Sequence, residues 1–82
     1  MAKKRVLGVV GMGHVGAHVA YALAIQGIAD ELVLVDQNEQ KLASEVQDLR
    51  DAVAYMPHRV TVRGGGFSDL GVCDVIVNSV GK

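Results

Sequence analysis

Three glycines and one aspartate stand in this sequence at intervals that suit the binding of a phosphorylated ligand. The run Gly11-Met12-Gly13-His14-Val15-Gly16 follows an apolar stretch, Val6 to Val10, and precedes a segment with helical periodicity. Beyond it a second apolar run, Leu32-Val33-Leu34-Val35, ends in Asp36. Glycines at this spacing let a chain turn sharply off a strand and bring bare backbone up to a ligand. A helix starting at such a turn offers unpaired amide hydrogens and a partial positive charge, which suit a diphosphate. A carboxylate ending the next strand can accept hydrogen bonds from both hydroxyls of a ribose. A glycine-rich turn alone would only connect two elements. Strand, turn, helix, strand and terminal acid together form a dinucleotide-binding fingerprint.

Each position has a physical role to fill. Gly11 permits the tight turn, Gly13 leaves room for the pyrophosphate, and Gly16 allows close packing of helix on strand. Met12, His14 and Val15 would contribute mainly backbone and packing contacts. His14 sits where phosphates bind and has no evident acid–base partner, which argues against catalysis. Asp36 would repel a 2′-phosphate, and Gln37 follows where an NADP-binding chain often places arginine, so NAD is the expected cofactor. The competing reading makes Asp36 a turn residue or helix cap. Lys41 either reaches the ribose or diphosphate or is a solvated helix charge. Ser79-Val80-Gly81 leaves the last strand beside the topological switch point, where its backbone should pass the cofactor's ribose. Gly81 otherwise only ends that strand.

The elements that must position these residues can be read from hydrophobic periodicity. Arg5 to Val10 predicts a buried strand. His14 to Gln26 predicts a helix closed by Gly27 in a left-handed position, with Ile28 as the hydrophobic partner of a Schellman cap. Gly16, Ala20 and Ala24 form a stripe of small side chains, and Val15, Val19 and Leu23 an apolar stripe beside it. Glu31 to Val35 predicts the second strand. Asn38 is a candidate N-cap for a helix to about Ala54 carrying Leu42, Val46, Leu49 and Val53 on one face, with Pro57 ending it. Arg59 to Arg63 predicts a strand, Gly64-Gly65-Gly66 a loop, Ser68 to Gly71 at most one helical turn, and Val75 to Asn78 a buried strand. Right-handed crossovers then give an α/β fold with a parallel sheet in the order third, second, first, fourth strand. Its last strand would be an uncovered apolar edge, which predicts that residues 1–82 are an amino-terminal fragment.

Bulk composition narrows the function classes. The chain has 82 residues, half of them hydrophobic, and only Tyr21, Tyr55 and Phe67 are aromatic, so the core is aliphatic. That is the composition of a buried parallel sheet. A net charge of −1 provides no field to recruit nucleic acid or an anionic membrane. The basic run Lys3-Lys4-Arg5 reads as solvated flanking of the first strand. With Ala20-Tyr21-Ala22 it loosely imitates a secretory signal, but cleavage there would discard the fingerprint. The apolar stretch from Val15 to Ala29 is too short for a membrane span and is interrupted by His18, Gln26 and Gly27. The single cysteine, Cys73, can form no internal disulfide and lacks the neighbours of a metal site. A reducing cytoplasm is the expected compartment.

At these residues the chain resembles the L-lactate and malate dehydrogenase family, closest to the lactate branch and its L-2-hydroxyisocaproate dehydrogenase relatives. The resemblance rests on the glycine run 11–16, Gln26-Gly27-Ile28-Ala29-Asp30-Glu31-Leu32, Val35-Asp36 with Asn38 and Lys41, Asp48-Leu49, and Cys73-Asp74-Val75-Ile76-Val77. It implies a Rossmann-type fold and NAD contacts from Val15, Asp36, Lys41, Phe67 and the backbone near Gly81. The family usually has tyrosine or another residue at the place of Phe67. It typically reads Thr-Ala-Gly at Ser79-Val80-Gly81, and the bulkier Val80 is similar to the hydroxyisocaproate branch, pointing towards larger 2-hydroxy acids. The resemblance also implies an oxidoreductase acting on a small 2-hydroxy acid, and a homo-oligomer with the second helix at a subunit interface. The family's arginine-bearing loop, Asp-His relay and substrate-clamping arginine have no counterpart in residues 1–82, and His18 and His58 do not match them. No catalytic residue is therefore expected in this segment. The alternatives are a non-enzymatic NAD-sensing regulatory module and a flavin-binding amino terminus, the latter usually with glutamate in place of Asp36.

Overall fold

The structure is a computed structural model that describes residues 4–11, 14–56 and 59–79. The elements are β1 (Val6–Val10), α1 (His14–Gln26), β2 (Glu31–Val35), α2 (Glu39–Val53), β3 (Thr61–Gly64), a 3-10 helix (Phe67–Val72) and β4 (Val75–Asn78). All strand pairs are parallel, and the sheet order is β3-β2-β1-β4. β1 and β2 fill the centre because both are continuous apolar runs with no polar alternation. Val9, Leu32, Val33, Leu34 and Val35 are essentially sealed from solvent. Strand order reverses between β1 and β4, so the expected α/β Rossmann-type topology is the one observed, and a switch-point crevice lies above their carboxyl ends.

The alternation of side chains along each strand divides the core into two layers. On one face, Leu7, Val9, Leu32, Leu34 and Val62 pack with Ala20 and Ala24 of α1 and Val46 and Leu49 of α2. On the other, Val6, Val10, Val33 and Val35 pack with Leu70 and Cys73 from the β3–β4 connection. Gly8 makes the second layer possible: a Cβ there would stand 2.8 Å from Leu70 Cδ2 and 2.9 Å from Cys73 Sγ. The connection can therefore lie flat on the sheet.

Helix boundaries follow local chemistry. Asn38 caps α2 as expected, its side chain accepting the Lys41 amide at 3.0 Å. Gly27 ends α1 with a φ of 66° and donates its amide to Ala24 O at 3.2 Å. Ile28 is 41% exposed, so its contribution to that cap is partial. α2 stops at Val53, ahead of Pro57, which lies outside the described residues.

Three boundaries differ from the sequence reading. β1 begins at Val6, because the Arg5 amide turns instead to Asp30 Oδ2 at 2.7 Å. β3 runs Thr61–Gly64, later than Arg59 to Arg63, because its pairing with β2 starts where Thr61 N donates to Asp30 O at 3.0 Å. Gly64 thus belongs to the strand, where a Cβ would press on Leu42 Cδ2 at 3.3 Å. The 3-10 helix spans six residues, longer than a single turn. β4 is the other departure: Val75 is 55% and Ile76 47% exposed, since among the described residues only β1 flanks it.

Charges concentrate at the amino ends of the strands. Arg63 Nε donates to Glu31 Oε2 at 2.5 Å, Lys4 Nζ to Glu31 Oε1 at 3.4 Å, and Arg63 Nη1 lies 3.6 Å from Asp69 Oδ1. The Arg63 hydrogen bond, with help from Lys4, holds the Glu31 carboxyl below its ordinary range despite partial desolvation. Bonds from the Arg5 side chain and amide likewise lower Asp30. Asp74 Oδ2 accepts the Val6 amide at 2.9 Å while Asp74 N donates to Val6 O at 2.7 Å. The bonds of Arg5, Asp30 and Asp74 tie strand starts together at the end of the sheet opposite the glycine turn.

Candidate functional site

β1, β2, β3 and β4 all deliver their carboxyl ends to one rim, and Gly11, Gly16, Asp36 and Ser79 arrive there. Gly11 follows β1 directly, with a φ of 92° that an L side chain rarely adopts. Its amide donates to Val35 O at 2.8 Å, which continues the β1–β2 ladder and brings the turn beside the residue before Asp36. Val10 pairs with Val35, so Gly11 and Asp36 leave neighbouring strands side by side, about 5 Å apart as adjacent strands are. Gly11 and Asp36 thus border the same end of the sheet. That separation suits a ligand holding a sugar and a phosphate in succession.

Gly16 is buried in the first turn of α1. A Cβ there would stand 1.7 Å from Gly11 O and 2.6 Å from Ser79 Oγ. The helix start is therefore pressed onto its own turn and onto the end of β4, the close approach expected for the third glycine of the run. Met12 and Gly13 lie outside the described residues, as do the side chains of His14 and Val15. Val80 and Gly81 lie outside them too.

Asp36 is half-buried, and its Oδ1 accepts the Asn38 amide at 2.9 Å. The side chain thus serves the turn into α2, as the competing reading held. An ionised carboxylate has about four acceptor positions, so an Asx turn and contacts to ribose hydroxyls are compatible on one group. The Asx bond also orients the carboxylate. Gln37 and Lys41 are exposed, Lys41 in the first turn of α2, on the same rim as Asp36. Phe67 is 58% exposed at the start of the 3-10 helix, just after β3 leaves the sheet. Gly65 N continues the β2–β3 ladder to Leu34 O at 2.9 Å and fixes where that segment departs.

Ser79 is the residue whose role sequence reasoning missed. Only its backbone was expected to matter. Its amide donates to Val10 O at 2.9 Å, and its hydroxyl lies 2.8 Å from both Val10 O and Gly11 O. The hydroxyl is turned into the glycine bend. Its only advance signal was a small hydroxylated residue ending a strand beside the switch point.

The residues present fit a dinucleotide: a left-handed Gly11, a helix start held close by Gly16, and a carboxylate one strand away. Among the described residues no group of three or more histidine, cysteine, aspartate or glutamate side chains is placed to hold a metal ion. No helix among them is long and apolar enough to cross a membrane. Burial pushes the Cys73 thiol above its ordinary range, so it is a packing residue beneath Gly8 and not a reactive thiolate. The groove between α1 and α2, lined by Ala17, Ala20, Tyr21, Leu49 and Ala52, lies among the helices and is separate from the strand-end rim.

Comparison with known proteins agrees with this geometry. The family model for the lactate/malate dehydrogenase NAD-binding domain matches residues 5–82. An L-lactate dehydrogenase of Fusobacterium nucleatum is 43% identical over 82 residues, which covers all of this chain and 26% of the relative. The crystal structure of a lactate dehydrogenase from a Medee basin deep-sea metagenome library superposes with a TM-score of 0.91 at 32% identity, covering 99% of this chain and 26% of that one. A minor L-lactate dehydrogenase from Enterococcus mundtii, in a ligand-bound form, gives a TM-score of 0.91 at 35% identity over 96% of this chain and 25% of its own. The chain spans about a quarter of the length of these relatives. It belongs to the lactate/malate dehydrogenase family and corresponds to that family's NAD-binding domain.

Proposed function

We propose that this chain is the amino-terminal NAD-binding part of an L-2-hydroxy acid dehydrogenase, an oxidoreductase that moves hydride between NAD and a 2-hydroxy/2-oxo acid pair. The observation that carries the reading is the meeting of Gly11, Gly16 and Asp36 on one rim in a chain matched to the family's NAD-binding domain over residues 5–82. When bound, NAD supplies the carbon that accepts or donates hydride. The chain's own residues bind and orient it. The backbone of the run Gly11, Met12, Gly13, His14, Val15 and Gly16 receives the diphosphate at the start of α1. Asp36 holds the adenosine ribose and discriminates against a 2′-phosphate, with Gln37 and Lys41 beside it. Phe67 and the backbone of Ser79, Val80 and Gly81 border the rest of the cofactor.

Lactate is the substrate favoured by the relatives' names. A bulkier 2-hydroxy acid of the 2-hydroxyisocaproate type is the second reading, and Val80 at a position where the family typically has alanine supports it. Proton transfer and substrate clamping belong to residues outside 1–82 in this reading. The setting is a cytoplasmic homo-oligomer with α2 at a subunit contact, and with neither nucleic acid nor membrane as a partner.

Titration of NADH and NADPH into the chain, read by calorimetry, tests the assignment. Wild type should prefer NADH. Asp36→Arg should reverse the preference by at least about tenfold, or about 1.4 kcal/mol. An unaltered preference in the variant removes Asp36 from the ribose site, and no binding of either coenzyme to wild type removes the NAD reading.

A further inference from the structure

We infer that the Ser79 hydroxyl is a positioning residue for the diphosphate site: it holds the glycine turn in its binding-competent conformation from the far side of the crevice. The inference rests on the NAD-binding reading above and adds a residue whose side chain faces away from the ligand.

Ser79 reaches two carbonyls. Val10 O is the last acceptor of the β1–β4 ladder and already takes the Ser79 amide at 2.9 Å. Gly11 O belongs to the bend itself, where φ is 92° and the backbone is least constrained by its own sterics. The hydroxyl oxygen stands 2.8 Å from each carbonyl, within hydrogen-bonding reach of both. Holding a carbonyl fixes the plane of its peptide group, and the amide hydrogen across that plane then faces the opposite way. With Gly11 O drawn towards β4, the negative end of that carbonyl is kept from the open side of the turn, where an anion would sit.

Gly16 completes the clamp. Its Cα side is packed so closely that an added Cβ would lie 1.7 Å from Gly11 O and 2.6 Å from Ser79 Oγ. The turn carbonyl is thus confined between the helix start and the serine hydroxyl. Without the hydroxyl, Gly11 loses the group that sets its peptide plane, while the ladder bonds from Gly11 N to Val35 O and from Ser79 N to Val10 O remain. The sheet should survive, and the placement of the Gly11 carbonyl should not. Loss of that placement affects a ligand through its diphosphate and leaves the ribose contact at Asp36 in place.

Ser79→Ala and Ser79→Thr, made in the 82-residue chain, test this with ADP-ribose and adenosine as probes. ADP-ribose affinity is measured by calorimetry, adenosine affinity by ligand-observed NMR, and folding by thermal unfolding. The alanine variant should weaken ADP-ribose about five- to tenfold, the loss of one well-placed hydrogen bond. It should leave adenosine unchanged within twofold, and threonine, which keeps the hydroxyl, should restore ADP-ribose binding. Equal weakening of both ligands, or a threonine variant as poor as alanine, would show a merely structural residue and overturn the inference. Unchanged ADP-ribose affinity in the alanine variant overturns it as well. Wild type that fails to bind ADP-ribose at all refutes the NAD reading itself, an outcome distinct from the others.

Discussion

Gly16→Ala should be far more damaging than a methyl group ordinarily is in a helix. The new Cβ would stand 1.7 Å from Gly11 O, 2.9 Å from Gly11 C and 2.6 Å from Ser79 Oγ. Two of these three neighbours are backbone atoms, so no rotamer change relieves the clash. Real Cβ contacts essentially never fall below 3.0 Å, so α1 and the turn must separate by more than an ångström at this point. Overpacking of that kind costs about 1–3 kcal/mol when side chains can yield, and rigid backbone places this site at the upper end. Alanine's better helix propensity returns at most about 1 kcal/mol. A net loss of about 2 kcal/mol lowers the melting temperature of a domain this size by roughly 8–16 °C. The displaced turn should also weaken NADH binding at least about tenfold in a fluorescence titration. Gly71→Ala is the matched control: nothing lies within 4 Å of a Cβ there, so it should be neutral or slightly stabilising. A Gly16→Ala chain with wild-type melting temperature and wild-type NADH affinity would refute the packing argument outright.

Other perturbations have definite expected outcomes. Glu31→Gln removes the acceptor that Arg63 and Lys4 share. Glu31 has its folded pKa lowered below the ordinary 4.5, so its stabilisation is complete above that value and is lost as pH falls through the lowered one. Melting curves of wild type and Glu31→Gln should therefore differ at pH 7 and converge as the medium is acidified below pH 4.5; a gap that widens with acid would contradict the pairing. Asn38→Ala should cost about 1 kcal/mol in chemical denaturation, because it deletes the acceptor for the Lys41 amide. Its NADH affinity should fall by less than that of Asp36→Arg, since Asn38 acts on the helix start and not on the ribose.

The parts of this fold legible in the sequence are those decided by short-range chemistry. β1 and β2 announce themselves as continuous aliphatic runs, Asn38 as a cap, and Gly27 as a left-handed helix end with its φ of 66°. The parallel order follows from crossover handedness once four strands and two helices are placed. What escaped notice depends on partners distant in sequence. The register of β3 is set by Asp30 O just before β2 and by Leu34 O on it, so its own residues could not reveal that Gly64 is in the ladder and Arg59 is not. The exposure of β4 depends on what stands beside it, and its apolar sequence alone suggests burial. The Glu31–Arg63 pair joins residues 32 apart. At the site, the glycines and Asp36 are legible because a diphosphate and a ribose constrain backbone conformation and charge at fixed spacing. Ser79 was not, because its hydroxyl recognises carbonyls brought within reach only when β4 pairs with β1.

Amide chemical-shift mapping of the isotopically labelled chain during NAD titration reports where the coenzyme sits. The account predicts saturable shifts concentrated at Gly11, Gly16, Asp36 and Ser79, on the carboxyl rim of the sheet. Arg5, Asp30 and Asp74, which tie the opposite ends of the strands, should stay still. Shifts confined to those amino-end residues, or none anywhere at millimolar NAD, would contradict it.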